Sequence, residues 1–278
     1  DKYFDDKNVM DFQVISTLGL TNEDITELKK VENIENVEGS YQSDAIVNVG
    51  EKEVVVKLET MTDEINGLEI VEGRLPQNEN ECVVEHSFIS GTNHKIGDTI
   101  VVNAENITDD DGNEKALLKN NTLTIVGTVK SPLYISMDRG STKLGSGVID
   151  YYVYINKNNI NTDIYTNAYI TVKDSKNLKC YEDDYEEKIE TAIDNVEGIS
   201  EDRREARYNE LYDSANKKKK KKKNEFETQK ADGEKQLQDA QNEIDSGKKQ
   251  IENVKASLQK NRNELNEKFA SAEAQIET

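Results

Sequence analysis

Apolar residues recur along this chain with two different periods, and the change between them comes late. In "DFQVIST" Phe12 and Val14 alternate with Gln13 and Ile15, a two-residue period that predicts a strand. "GLTNEDITELKKV" supplies a helix start: Thr21 as N-cap, Glu23 and Asp24 in the first turn, Ile25 and Leu28 on one face, lysines at the exit. "YQSDAIVNVG" and "KEVVVKLET" predict two more strands with Gly50-Glu51 as the hairpin turn between them. In "NGLEIVEGRLPQNENECVVEHSF", Gly73 can take a positive φ and Pro76 fixes its own. The segment Gly73, Arg74 and Pro76 is therefore expected to form a rigid bend before a strand at Glu81–Glu85.

"KIGDTIVVNAENI" and "NTLTIVGTVKSP" predict two strands joined as a hairpin, with Asp111-Gly112 of "TDDDGNEK" at its tip. "LYISMDRGSTKLGSGVID" has three glycines and no period, so a loop or flap is expected there. "YYVYINK" and "NAYITVKD" close the strand list. "YEDDYEEKIETAIDNVEG" then places Tyr185, Ile189, Ala192, Ile193 and Val196 at helical spacing, with Gly198 as a C-cap. The pattern predicts an α+β head with a mixed sheet over residues 1–200.

From about Arg203 the period becomes helical and stays so, which predicts a stalk over residues 201–278. Leu237, Ile244, Ile251, Leu258 and Leu265 recur every seven residues, with Ala240, Gly247, Val254 and Asn261 between them. This satisfies a coiled-coil template. Residues 224–278 would reach about 80 Å as a helix. Such a stripe is narrow and its intervening positions are small or polar, so it needs a close-packed neighbour. The neighbour is either another copy, giving a dimer, or a returning helix beyond Thr278.

Composition divides the chain at the same place. Only 34% of its 278 residues are hydrophobic and 33% are charged, enough for a modest core. Of 17 aromatic residues only Phe226 and Phe269 lie beyond residue 216. The net charge of −20 argues against a nucleic-acid partner, whose footprint is a basic face. Residues 217–278 hold 15 Lys and Arg against 12 Asp and Glu, so the acidity belongs to the first part, which carries −23. The chain begins abruptly and ends inside a helical repeat, as an excised piece of a longer polypeptide would.

Candidate chemistry is sparse. Cys82 and Cys180 are too few for a disulfide framework or a metal box, and nothing favours a bridge between them. His86 and His94 have no third ligand at metal spacing. "TDDDGNEK" fails as a calcium loop because Ile107 stands at the first ligand position. With no G-x-S-x-G elbow and two histidines, a hydrolytic triad has little choice of base. No catalytic residue, cofactor site or metal site is therefore expected. The run Lys217–Lys223 is either a solvated helix segment or a contact for anionic lipid headgroups or wall polymers.

The order of pieces in the head carries a resemblance. "GLEIVEGRLPQNENECVVEH", then "KIGDTIVV", then "LTIVGTVKSPLYI" resembles the extracytoplasmic domain of MacB/FtsX-type ABC transporter permeases, over about residues 10–200. In that family a glycine-arginine bend precedes a strand, a glycine-aspartate turn opens the next, and a "VVG" strand follows; this chain has Ile125 at the first position of that triplet. "EIDSGKKQIE" is similar to the repeats of long coiled-coil hairpins inserted in some Gram-positive permeases of this kind. The resemblance implies a location outside the cell membrane, with the transmembrane part of the same polypeptide beginning just before Asp1 and a descending stalk arm after Thr278. It implies a cytoplasmic ABC ATPase as partner, with the ATP site on another polypeptide, and the absence of G-x-x-x-x-G-K-[ST] here is consistent with that. It also implies a client outside the membrane, an extracellular peptide or a surface or cell-wall protein. The long stalk departs from tripartite efflux through an outer membrane. The rival expectation is a secreted or wall-attached adhesin or scaffold that dimerises through the stalk.

Overall fold

A computed structural model describes residues 2–50, 52–108, 113–136, 139–180 and 182–276. The expected turn at Asp111-Gly112 and the Glu51 half of the first hairpin turn lie outside the described residues. In chain order the elements are α1 (Lys2–Asp6), β1 (Phe12–Leu20), α2 (Asn22–Leu28), β2 (Ile34–Ser40), β3 (Gln42–Val49), β4 (Lys52–Thr60), β5 (Glu69–Gly73), β6 (Glu81–Glu85), α3 (His86–Thr92), β7 (Thr99–Ala104), the short pair β8 (Ile107–Thr108) and β9 (Glu114–Lys115), β10 (Thr122–Lys130), β11 (Tyr151–Ile155), β12 (Tyr165–Val172) and α4 (Asp183–Ile276). The class is mixed α+β followed by a long C-terminal helix. The chain divides into two compact units, Asp1–Leu211 and Tyr212–Thr278.

The first unit is built on two sheets. In the larger, the order is β5-β10-β6-β11-β4-β3-β7, and β7 also pairs with β10. Six strands therefore close into a ring, which removes their unpaired edges. β7 uses Thr122–Thr124 of β10, and β5 pairs with Gly127–Lys130 farther along it. β6 with β10 and β11 with β4 run parallel, and the remaining pairs in the ring are antiparallel. The period-2 pattern explains the interior. Each strand of the ring sends two residues, two positions apart, into one core: Ala45 and Val47, Val56 and Leu58, Cys82 and Val84, Ile100 and Val102, Leu123 and Ile125, Val153 and Ile155. Each fully buried Val, Leu or Ile is worth about 1.5–3 kcal/mol. Phe88 of α3, with Leu117, Leu118 and Ile160, belongs to the same core.

The smaller sheet has the order β1-β12-β2, all antiparallel. Leu20, Ile34, Val37, Ala168, Ile170 and Val172 from its strands pack with Leu28 of α2 and with Ala192 and Val196 of α4. Thr21 caps α2 in a full capping box: its hydroxyl accepts from Asp24 N–H, and the Asp24 carboxylate accepts from Thr21 N–H.

Some elements differ from the pattern reading. The C-cap expected at Gly198 is absent; α4 runs through it to Ile276, and nothing lies within 4 Å of where its Cβ would stand. Without a proline or a left-handed residue the helix has no local reason to stop. β2, β5 and α3 are further elements, and each is too short or too polar for its period to stand out. Among the described residues no helix is long and apolar enough to cross a membrane.

Candidate functional site at the seam between the sheets

The motifs that carry the resemblance are far apart in sequence and meet on β10. Gly73 stands directly opposite Gly127. A Cβ on Gly73, whose φ is +79°, would lie 2.3 Å from the Val126 carbonyl oxygen, and one on Gly127 would lie 2.5 Å from that of Arg74. Only glycine lets these backbones approach so closely. Arg74 N–H donates to the Val126 carbonyl at 3.1 Å, Gly97 N–H to the Ile125 carbonyl at 2.8 Å, and Ile125 N–H to the Asp98 carbonyl at 2.9 Å. The pairing with β6 slips at the same place, so that Val126 has no partner there and its carbonyl is free to receive Arg74.

Arg74 is held by one carboxylate. Its two terminal nitrogens donate to Glu81 at 2.8 and 2.6 Å, and Glu81 also accepts from the N–H groups of Gln77 and Asn78 and from the Asn78 side-chain amide. The Arg74 guanidinium first, then these amides, hold the Glu81 carboxyl well below the usual carboxylate range. Pro76 is buried inside the loop that this carboxylate gathers. The bend is a fastening with no reactive group in it.

A second polar cluster joins the two sheets. The chain passes from β2 to β3 through Tyr41 alone, and the surrounding groups are paired across this crossing. Tyr41 N–H donates to Thr60 Oγ1 at 2.9 Å, Gln42 N–H donates to Thr166 Oγ1 at 2.8 Å, and the Ser40 and Thr60 hydroxyls lie 3.2 Å apart. Beneath them Glu59 of β4 is 1% exposed. It accepts from the Tyr169 hydroxyl of β12 and, at 3.3 Å, from Tyr134, whose hydroxyl also accepts from Gln42 Nε2 at 3.1 Å. Burial raises the Glu59 carboxyl above its ordinary range, against the opposing pull of the Tyr169, Tyr154 and Tyr134 hydroxyls and the Lys57 charge. Burial likewise raises the hydroxyls of Tyr134, Tyr154 and Tyr169. Leu133, Tyr154 and Tyr169 line a cavity of about 160 Å³ beside this carboxyl. The Tyr169–Glu59 bond thus joins β12 to β4 across the two sheets, while Tyr134 and Tyr154 hold the same carboxyl from the side of the larger sheet, by hydrogen bonds that are directional and few. Pattern reading could not find Glu59, one of 56 acidic residues.

The segment that enters β1 is fastened to both sheets. Gly67 N–H donates to the Lys7 carbonyl at 2.7 Å and Asn66 N–H to that of Asn8 at 2.9 Å, while Met10 N–H donates to the Asn66 side chain at 2.9 Å. Asp11 accepts from Val172 N–H at 2.7 Å, from Ser175 Oγ at 3.0 Å and from the Tyr185 hydroxyl in α4 at 2.9 Å. Residues 7–11 are thereby bonded to the loop after β4 and to the start of the long helix.

The other singled-out residues are dispersed. His86 lies 3.2 Å from the Thr128 hydroxyl and His94 2.8 Å from that of Thr92, and the two cysteines are free. Among the described residues no three His, Cys, Asp or Glu side chains could hold a metal ion. The expected flap is tied to β6 by the Arg139 guanidinium on Glu85, and an internal bridge joins Ser141 to Val148. In the second unit Leu237, Ile244, Ile251, Leu258 and Leu265 share one helix and are 52–73% exposed. The lysine run lies exposed on the same helix, apart from the half-buried Lys218.

The chain matches the sequence profile of the MacB-like periplasmic core domain over residues 3–193. No curated protein matches it. Among solved structures it is similar to the extracellular domain of the ABC-type transporter YknZ from Gram-positive bacteria, at 14% identity and a TM-score of 0.37 over 57% of this chain and 75% of that one. It is similar also to the periplasmic region of MacB from Actinobacillus actinomycetemcomitans, at 15% identity and a TM-score of 0.36 over 60% and 69% of the two chains.

Proposed function

The chain belongs to the MacB-like periplasmic core domain family, and from that premise we propose that it is the outer part of an ABC transporter permease of the MacB/FtsX type, carrying movement of membrane helices to a client outside the membrane. Domains of this family are in general non-catalytic parts of transporters. On this reading the partners are the transmembrane part of the same polypeptide and a cytoplasmic ABC ATPase subunit, which holds the ATP site. The client is an extracellular peptide that is exported or sensed, or a surface or cell-wall protein under the transporter's control.

The observation that supports the coupling is the double fastening of residues 7–11. A displacement of this segment is felt at Asn66, in the loop after β4, and at Val172 and Tyr185 through Asp11. The Glu59 seam is the joint at which the two sheets can then shift, because a few directional hydrogen bonds exchange more readily than an interlocked apolar core.

The test is hydrogen exchange on the full-length polypeptide, purified with its ATPase subunit in lipid nanodiscs, with and without ATP. Nucleotide is expected to change exchange at Asn66, Gly67, Val172 and around Thr60. Failure of any ATPase to accompany the polypeptide, or a head whose exchange ignores ATP, overturns the reading.

A further inference from the structure

The strongest unassigned feature is a groove on the smaller sheet, of about 320 Å³, between β1 and the first part of α4. Its apolar lining includes Val14, Leu20, Leu28, Val196 and Ile199. β1 is the outer strand of its sheet, so among the described residues one edge has no strand beside it. Its residues Phe12–Leu20 include no charged side chain, in a chain that is 33% charged. Ile15 is 66% and Leu18 41% exposed. Charged residues are one guard of an open edge, and this edge has none; its register against β12 is regular from Phe12 to Ile15 and shifts between Ile15 and Leu20.

The charged groups of the groove lie on its helical side and are unlike the rest of the head. They are Asp24, Arg203, Arg204 and Arg207, a net positive lining on a strongly acidic unit. Arg203 is taken up by two carboxylates, its Nε 2.8 Å from Asp24 and a terminal nitrogen 3.4 Å from Glu23. Arg204 is held by Glu201 and Arg207 by Glu210 at 3.1 Å, each one helical turn away. Those contacts leave the Arg207 Nε–H buried without an acceptor. A carboxylate entering the groove would meet this donor once the Arg207 side chain turns from Glu210, and a guanidinium–carboxylate contact formed there would be strong.

We propose that this groove receives an extended acidic peptide segment, which adds as a strand to the open edge of β1, seats its apolar side chains between β1 and α4, and places a carboxylate on Arg207. Strand addition supplies affinity from main-chain hydrogen bonds, and the alternation of side chains supplies selectivity: one set meets the apolar floor, the other meets arginine. The inference does not depend on the coupling proposed above.

The test uses the 278-residue chain and two fluorescein-labelled nine-residue probes, one alternating valine with glutamate and one alternating valine with lysine, titrated by fluorescence anisotropy. The glutamate probe is expected to bind and the lysine probe not to. Arg207→Gln should weaken binding about tenfold or more, the scale of one charge-assisted hydrogen bond. Bound probe should slow amide exchange at residues 15–19. Leu18→Asp, at an exposed position, provides a second variant should Arg207→Gln fail to fold, and it should also abolish binding. Equal binding of both probes, binding that survives Leu18→Asp, or protection confined to other residues overturns the proposal. So does self-association that Leu18→Asp removes, which would make a second copy the occupant of the edge.

Discussion

Leucine, isoleucine and valine are used in opposite ways by the two units. In the six-strand ring each strand buries two apolar residues against the other five strands. In the helix of the second unit five leucines and isoleucines stand on one stripe and remain 52–73% exposed. The difference is one of closure. A sheet that returns to its first strand satisfies backbone and side chains within one chain, whereas a lone helix satisfies its backbone and leaves its stripe in water. The head therefore carries its stability internally, and the long helix depends on what covers it.

The comparison breaks most visibly at the glycines that let β5 dock on β10 of the ring. Gly127→Val would place a side chain 2.5 Å from the Arg74 carbonyl and 2.8 Å from that of Glu72, with backbone on both sides unable to yield. The expected cost is about 3 kcal/mol or more. It would be seen as loss of the tyrosine near-ultraviolet signal at temperatures where the unaltered head is folded, with the helical signal of the second unit retained. A variant that melts with the unaltered protein would mean that the meeting of Gly73 and Gly127 is incidental to the stability of the head.

Acid and base should then act on the head in opposite senses through two carboxyls. Glu81 is held low, by Arg74 first and by loop amides next, so its contribution is full above the ordinary carboxylate range near about 4.3. It is lost as pH falls below that range toward the depressed folded value. Glu59 is held high by burial, so its contribution is full below that ordinary range and is lost as pH rises through the raised folded value. Melting curves across pH should show Glu81→Gln flattening the acid limb. Glu59→Gln should gain on the unaltered protein as pH rises. Parallel curves for all three proteins would refute both assignments.

How far the sequence reveals this architecture follows from period and length. β7 and β10 are legible from alternation, β4, β6 and β11 from runs of β-branched and aromatic residues, and α2 because Thr21 and Asp24 write out its cap. β5 is short and mostly exposed, and α3 is a seven-residue helix whose buried residues are Phe88 and Thr92, so neither has a period to read. The bend at Gly73, Arg74 and Pro76 is visible as residue types, while its partners Gly127 and Glu81 are fixed only by the fold. Glu59 is hidden for a plainer reason: its burial is a property of the crossing at Tyr41, and no local pattern records that Tyr169 arrives there 110 residues later.

A smaller effect sharpens the picture of the second unit. Nothing lies within 4 Å of where the Gly247 Cβ would stand, so Gly247→Ala meets no obstacle in the chain and gains the helix propensity of alanine, about 1 kcal/mol. The helical signal should melt later and the tyrosine signal of the head should not move. If association in the longer polypeptide is weakened by the same change, the glycine is there for close approach of a neighbouring helix.

The smallest expected effect on the head decides what covers the stripe. Ile251 is 69% exposed, so Ile251→Asp should change the stability of the head by less than about 0.5 kcal/mol; unfolding of the head would refute the division into two parts. Sedimentation then separates the two occupants. A 278-residue chain that is a dimer, and becomes a monomer in the variant, covers its stripe with a second copy. A chain that is a monomer in both forms, with residues 237–265 protected from exchange only in the longer polypeptide, covers it with a returning arm. The charges flanking the stripe bear on the orientation of a self-dimer: Lys248, Lys255 and Arg262 recur at one flank and Glu243 and Glu264 at the other. A parallel copy would set Glu243 against Lys248, whereas an antiparallel copy would set the basic flank against itself. High salt should therefore weaken a parallel self-dimer and relieve the repulsion in an antiparallel one.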